Sequence, residues 1–324
     1  MVHKRYSSGF TLIELMIALT LGLLIVAAGL AVFLSSQRSL NLQSGMGELQ
    51  QNANFGLSLV THDLRHTNLN TVSSQRVNSQ TTGSGIIFKA ENLPAELRDI
   101  ADLENEFVTL QAKDDDNTTG ESDRLTIQYT PETQTIINCE GGSVGTVTDP
   151  ASSKVIVQRY YLAQTPQQVA GEPISYSLYC DAGFYTDGDT TISGLGANAQ
   201  QIMQRIDAFR VRLGVKNPAG EFRYMTIDEY TDAMTAIRAA CTTPIVEDIC
   251  AKDYLQVISM EVGILSRSTG TIGADSNFNT QTTFKLAGAD VSLPTDATSI
   301  ALNKKYLRQA VNQVVAIRNT LGAS

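Results

Sequence analysis

The chain has 324 residues and a formal charge of −9, from 24 Lys and Arg against 33 Asp and Glu, with 42% hydrophobic and 18% charged residues, four cysteines and no tryptophan. That length admits one large or two ordinary domains, and the composition is too apolar for a disordered chain. The acidic balance, with no cluster of Lys and Arg, excludes the broad basic surface that holds phosphates by counterion release, so direct nucleic-acid binding is not supported.

The first element is an apolar run, Phe10 to Leu34, in which Glu14 is the only residue more polar than threonine. About 25 residues at about 1.5 Å each reach about 37 Å as a helix, enough to cross a hydrocarbon core of about 30 Å with some tilt. His3, Lys4 and Arg5 precede the run, and basic flanks stay in the cytoplasm, which sends everything after Leu34 to the far side. The run exceeds the apolar stretch of an ordinary secretory signal. An ionisable side chain inside it costs up to roughly 3 kcal/mol near the bilayer centre, so Glu14 marks a function or a partner, and the partner that suits it is a cation.

Beyond the span, Leu42, Met46, Leu49, Ala53, Leu57, Val60 and Leu64 recur at steps of three and four, one stripe of a continuing helix. No proline occurs before Pro94. One helix from about Phe10 to about Thr67 is predicted, near 90 Å long, half in lipid and half against a globular domain. Gly22 and Gly29 are its local weak points.

From Ser73 the texture turns to Ser, Thr, Asn and Gly with short β-like runs: 86–88, 107–110, 124–129, 154–162, 175–179, 209–215, 255–267 and 306–318. Turn-rich separators between them predict an antiparallel sheet, with short helices over 91–103 and 228–240. Cys139, Cys180, Cys241 and Cys250 all follow the span, on the side where disulfides persist. Four cysteines allow three connectivities; the favoured one joins Cys139 to Cys180, tying two β regions, and Cys241 to Cys250, closing a short loop around Pro244.

His62 and His66 lie four apart, a spacing that can hold zinc, and His62-Asp63-Leu64-Arg65-His66 superficially resembles H-E-x-x-H. Aspartate is a short substitute for that glutamate and no third ligand stands at a matching spacing, so the pair reads as solvated or packing histidines, with no metal expected. Asp114-Asp115-Asp116-Asn117 and Asp187-Gly188-Asp189 follow no EF-hand pattern and read as solvated turns. Gly194-Leu195-Gly196-Ala197-Asn198-Ala199 fits G-x-G-x-x-A but lacks a βαβ context. Tyr160, Tyr161, Tyr176, Tyr179 and Tyr185 suit sheet packing better than an adhesive surface. No nucleophile elbow, P-loop or triad is present; no enzyme activity and no cofactor are expected.

The string Gly9-Phe10-Thr11-Leu12-Ile13-Glu14-Leu15-Met16-Ile17-Ala18 closely resembles the N-terminal signature of type IV prepilins and of type II secretion pseudopilins. The resemblance implies a leader, Met1–Gly9, removed by an aspartyl membrane prepilin peptidase, with Phe10 becoming an N-methylated first residue. It puts the family glutamate at Glu14, where it pairs with the α-amine of a neighbouring subunit and sets helix register. Most pilins bend this helix at a proline; here Ala31 sits near that place.

Four further pieces narrow the resemblance to the PilW type of minor pilin: Asp63-Leu64-Arg65, Asp123-Arg124-Leu125-Thr126-Ile127-Gln128-Tyr129, the stretch with Val257, Met260, Val262 and Leu265 leading to Arg267, and Ala316-Ile317-Arg318-Asn319. The family usually follows the first piece with Ala and Gly, where this chain has His66 and Thr67.

The resemblance implies an α+β pilin: leader 1–9, long helix 10–68 with 10–34 in the membrane, and a periplasmic β-rich head 69–324. It implies a single-pass inner-membrane protein that moves into a pilus fibre or its tip. Its partners would be other minor and major pilins, the peptidase and the inner-membrane assembly platform, with a role in priming assembly and supporting twitching motility, adhesion or DNA uptake. The alternatives are a type II secretion pseudopilin and, more distantly, a membrane-tethered enzyme or metal-binding receptor.

Overall fold

The computed structural model describes residues 9–71, 76–112, 122–131, 137–142, 154–241, 250, 252–271 and 281–320. Met1–Ser8 of the expected leader, Ser73, the Asp114–Asn117 run and Pro244 lie outside the described residues.

Helix α1 (Leu12–Leu64) runs unbroken for 53 residues, about 80 Å, and passes Gly22 and Gly29 without interruption. It starts where it does because Thr11, in extended backbone, caps it: Thr11 Oγ1 accepts the Glu14 N–H while the Glu14 side chain returns to the Thr11 N–H. It stops at Leu64 rather than near Thr67. Turns follow over 65–70, with Asn68 (φ 65°) and Asn70 (φ 48°) in the left-handed region that Asn tolerates better than most residues.

The span is exposed throughout; α1 is half-covered at Leu42 and buried from Gly45, with Leu49, Ala53, Gly56, Leu57, Val60 and Leu64 then buried against the head. Met46, expected on the buried stripe, is 49% exposed, while Gly45 faces Leu307. Gly45 and Leu49 on either side of Met46 are buried, so the head already covers α1 at this height; at about 100° per residue Met46 is turned to the edge of the covered stripe.

Among the described residues the head holds two four-stranded antiparallel sheets. The first is a meander of β1 (Leu125–Tyr129), β2 (Val155–Gln164), β3 (Tyr176–Tyr185) and β4 (Gln200–Gln204). The second, ordered β10-β7-β5-β6, is built from β5 (Ile206–Lys216), β6 (Phe222–Met225), β7 (Gln256–Arg267) and β10 (Arg308–Ala316). Between β6 and β7 lies α2 (Ile227–Ala240), capped by Thr226 with Glu229. A hairpin of β8 (Thr283–Leu286) and β9 (Ala289–Ser292) turns at Ala287 and Gly288, both with positive φ, and α3 (Ala297–Asn303) leads into β10.

The predicted runs at 124–129, 154–162, 175–179, 209–215, 255–267 and 306–318 fall on β1, β2, β3, β5, β7 and β10. Those at 86–88 and 107–110 provide only isolated bridges, Ile86 to Ile127 and Leu110 to Arg124. Over 91–103 a helix was expected; instead there are single 3-10 turns at Ala90–Asn92 and Ala95–Leu97 and a π turn at Leu103–Phe107. Two breaks explain this: Leu93 is extended ahead of Pro94, as the proline ring requires, and Asp102 is left-handed (φ 57°).

One core joins the lower layers. Ala53, Leu57, Val60 and Leu64 of α1 meet Ile127, Tyr160 and Leu178 of the first sheet, Phe209, Leu213, Met260 and Val262 of the second, and Tyr230 and Met234 of α2. On the first sheet's other face, Val157 and Tyr185 pack under Leu93, Leu97, Leu103 and Val108. The head closes most tightly on α1 at Gly56, where a Cβ would overlap the Met203 side chain of β4.

Candidate assembly helix and its junction with the head

Gly9 and Phe10 sit in non-helical, exposed backbone just ahead of the helix cap, and no atom stands within 4 Å of where a Gly9 Cβ would be. Phe10 is 90% exposed. The Glu14 Oε2 accepts hydrogen bonds from the Thr11 N–H and from Thr11 Oγ1, both at 2.9 Å. Its carboxylate is thus oriented at the helix start by its own chain, with lone pairs left for a cation, and the helix N-terminus favours the negative charge there.

The far end of α1 is bound to the head by polar contacts that span the chain. Asp63 Oδ2 accepts the Tyr160 hydroxyl at 2.8 Å, and Tyr160 is fully buried. Burial, then the Asp63 charge, pushes the Tyr160 phenol well above its ordinary value, so it remains a donor. The Asn319 side chain donates to the Thr67 carbonyl at 3.0 Å and its carbonyl accepts from Asn68 Nδ2 at 3.3 Å. Lower down, Asn52 Nδ2 donates to the Gln204 carbonyl at 2.8 Å, and Glu48 pairs with the Thr269 hydroxyl.

A second junction ties the two sheets. Asp123 accepts the Val211 N–H at 2.7 Å, the Ala112 N–H at 2.9 Å and Arg210 Nη1 at 3.1 Å, and is itself buried. Arg267 and Arg308 converge on buried Asp207, at 3.4 and 2.6 Å. The four short sequence pieces therefore meet the rest of the molecule at the helix end, the sheet junction, the buried ion cluster and the C-terminal clasp.

Cys139 is bonded to Cys180 on β3, and Cys241, at the end of α2, to Cys250, with Cα separations of 6.1 and 6.2 Å. Asp189 Oδ2 accepts both the N–H (2.7 Å) and the hydroxyl (2.9 Å) of Thr186, so the Asp187–Asp189 turn is closed by its own hydrogen bonds. The Gly194–Ala199 stretch is likewise a turn: Asp181 accepts the Gly196 N–H and pairs with Arg159 at 2.7 Å. Tyr160 and Tyr185 are core residues, whereas Tyr161 and Tyr179, paired across β2 and β3, are half-buried and stack on each other, 6.0 Å between centroids. His62 is exposed, and His66 stacks on Tyr129. The Asp63, Tyr160 and Asn319 contacts were invisible in sequence, where only the Asp63-Leu64-Arg65 and Ala316–Asn319 pieces signalled them.

Residues 159–319, about half of the chain, match the family model described as Type IV Pilus-assembly protein W, and residues 4–30 match the Prokaryotic N-terminal methylation motif. No curated protein matches. Among solved structures the chain is similar to a type IV-like pilin from Thermus thermophilus, at 11% identity and a TM-score of 0.36, over 84% of this chain and 98% of that one. With its membrane-length N-terminal helix, methylation motif and matching head, the chain belongs to the type IV minor pilins of the PilW type, which act in pilus assembly as structural subunits.

Proposed function

We propose that this pilin helps to prime pilus assembly with other minor pilins at or near the fibre tip, and that twitching motility, adhesion or DNA uptake depends on it through that step. In this reading a prepilin peptidase removes residues 1–9 and Phe10 is N-methylated. The head, residues 69–324, then lies on the periplasmic side until the subunit leaves the bilayer. Glu14 receives the α-amine of a neighbouring subunit, and this contact sets helix register.

The observation that carries the proposal is the exposed apolar helix from Leu12 to Leu34 with one carboxylate, Glu14, oriented at its start by Thr11. Such a surface is stable in lipid or against other helices, and the carboxylate needs a cationic partner once water is excluded.

Glu14→Gln tests it. The variant keeps the size and the helix cap's shape but loses the charge, so it should insert at normal abundance while crosslinking to partner pilins and surface piliation both fall. Full piliation and wild-type crosslinking by Glu14→Gln, in cells where deletion of the chain sharply reduces pili, would overturn the register role. Co-purification with secretion components in place of pilins would overturn the pilus assignment.

A further inference from the structure

At the distal end of α1 three potential ligands converge on one another. His62, Asp63 and His66 each offer a ligand atom, and these atoms all lie within 4.8 Å of one another. His62 Nδ1 stands 3.4 Å from Asp63 Oδ1, and the two imidazole rings are 5.1 Å apart at 67°. His66 lies beyond the last helical residue, in a turn whose N–H bonds the Asp63 carbonyl at 2.9 Å. That turn brings its ring beside the carboxylate, so Asp63 becomes the third ligand that residue spacing did not reveal.

The surroundings hold two of the three in place. Tyr160 donates to Asp63 Oδ2 and leaves Oδ1 on the side of His62. The His66 ring is stacked on Tyr129 at 5.5 Å. A carboxylate fixed through its second oxygen by a buried donor is the outer-shell arrangement that orients metal ligands. His62, with a side chain 70% exposed, is the mobile one and can close on an ion.

We propose that His62, Asp63 and His66 bind one Zn²⁺ ion through two imidazole nitrogens and one carboxylate oxygen, with water completing the shell. Ligand atoms about 2.1 Å from one tetrahedral ion stand about 3.4 Å apart, the separation His62 Nδ1 and Asp63 Oδ1 already have, so the widest pair must close by roughly 1.4 Å through side-chain rotation. Two nitrogens and one oxygen suit zinc and its transition-metal neighbours; calcium and magnesium require shells of six or more oxygens. The ion would fasten the last turn of α1 to the turn leaving it, beside the Tyr160 and Tyr129 contacts with β1 and β2.

The test uses the full chain in detergent micelles, purified without a polyhistidine tag and stripped with chelator, and titrated calorimetrically with Zn²⁺ alone at neutral pH. One equivalent should bind with a Kd of about 1–10 µM, and His62→Gln and His66→Gln should each weaken it at least about tenfold. Tyr160→Phe keeps all three ligands and should still weaken binding by about tenfold, an effect of positioning that the loss of a ligand cannot explain. His62→Gln changes an exposed residue, so its melting temperature in chelator should equal that of the parent. Absence of saturable binding, or binding that His62→Gln and His66→Gln leave unchanged, would overturn the site.

Discussion

The two disulfides provide a ranked test of how the head is held together. Cys139 and Cys180 are 41 residues apart in sequence and Cys241 and Cys250 only 9, although the Cα separations are nearly equal. A crosslink acts mainly by removing loop-closure entropy from the unfolded chain, which grows with the logarithm of the loop. The longer loop therefore contributes roughly 4 kcal/mol and the shorter roughly 2.7 kcal/mol at room temperature. For a head of this size each kcal/mol moves the melting temperature by about 2–4 °C, so replacing Cys139 and Cys180 with alanine should lower it by about 8–16 °C, and replacing Cys241 and Cys250 by about 5–11 °C. The assay is thermal unfolding of the full chain in detergent, read by a signal of the β-rich head, with intact mass of unreduced protein confirming the absence of free thiols. Both bridges enter the main core, through buried Cys180 and Cys250, so the ranking rests on loop length alone. If the first pair of substitutions costs no more than the second, the loop-entropy account of this head is wrong.

Gly9→Val should leave the leader attached, because the peptidase must seat a small residue beside the scissile bond; intact mass then shows the full-length chain, and a chain beginning at Phe10 refutes the expectation. Gly56→Leu places a branched side chain where even a Cβ overlaps Met203, so the head should lose about 1–3 kcal/mol by overpacking. Combination with Met203→Ala should recover part of that loss, and strict additivity in denaturant unfolding would argue against the contact. Asp123→Ala removes one carboxylate partner of buried Arg210 and the acceptor of two backbone N–H groups, at a cost of about 2–5 kcal/mol; a loss below about 1 kcal/mol would show that the junction between the sheets does not rest on this carboxylate.

Much of this molecule follows from interactions within a few residues. The Phe10–Leu34 run, the Thr11 cap with Glu14 and the apolar steps from Leu49 to Leu64 specify one long helix, since each depends on neighbours no more than about a turn away. The same holds for α2, set by Thr226 and Glu229, and for the longer strands β2, β5 and β7 with their apolar runs. Short strands escaped because their signal is weak: β4 reads Gln-Gln-Ile-Met-Gln, and β6, β8 and β9 have four residues each.

Tertiary structure alone decided what depends on partners far along the chain. Met46 stands half exposed at the edge of the covered stripe, while β4 closes over Gly56. Three cysteine connectivities were open until β3 carried Cys180 to Cys139. Asp63 finds Tyr160 97 residues away, and Asn319 finds Thr67 252 residues away. His62 and His66 were only a helical spacing until the turn after Leu64 swung His66 beside Asp63. Periodicity and capping are written locally in the chain, but which side chains face one another across the head is settled only when distant segments pack, because that packing free energy belongs to no single segment.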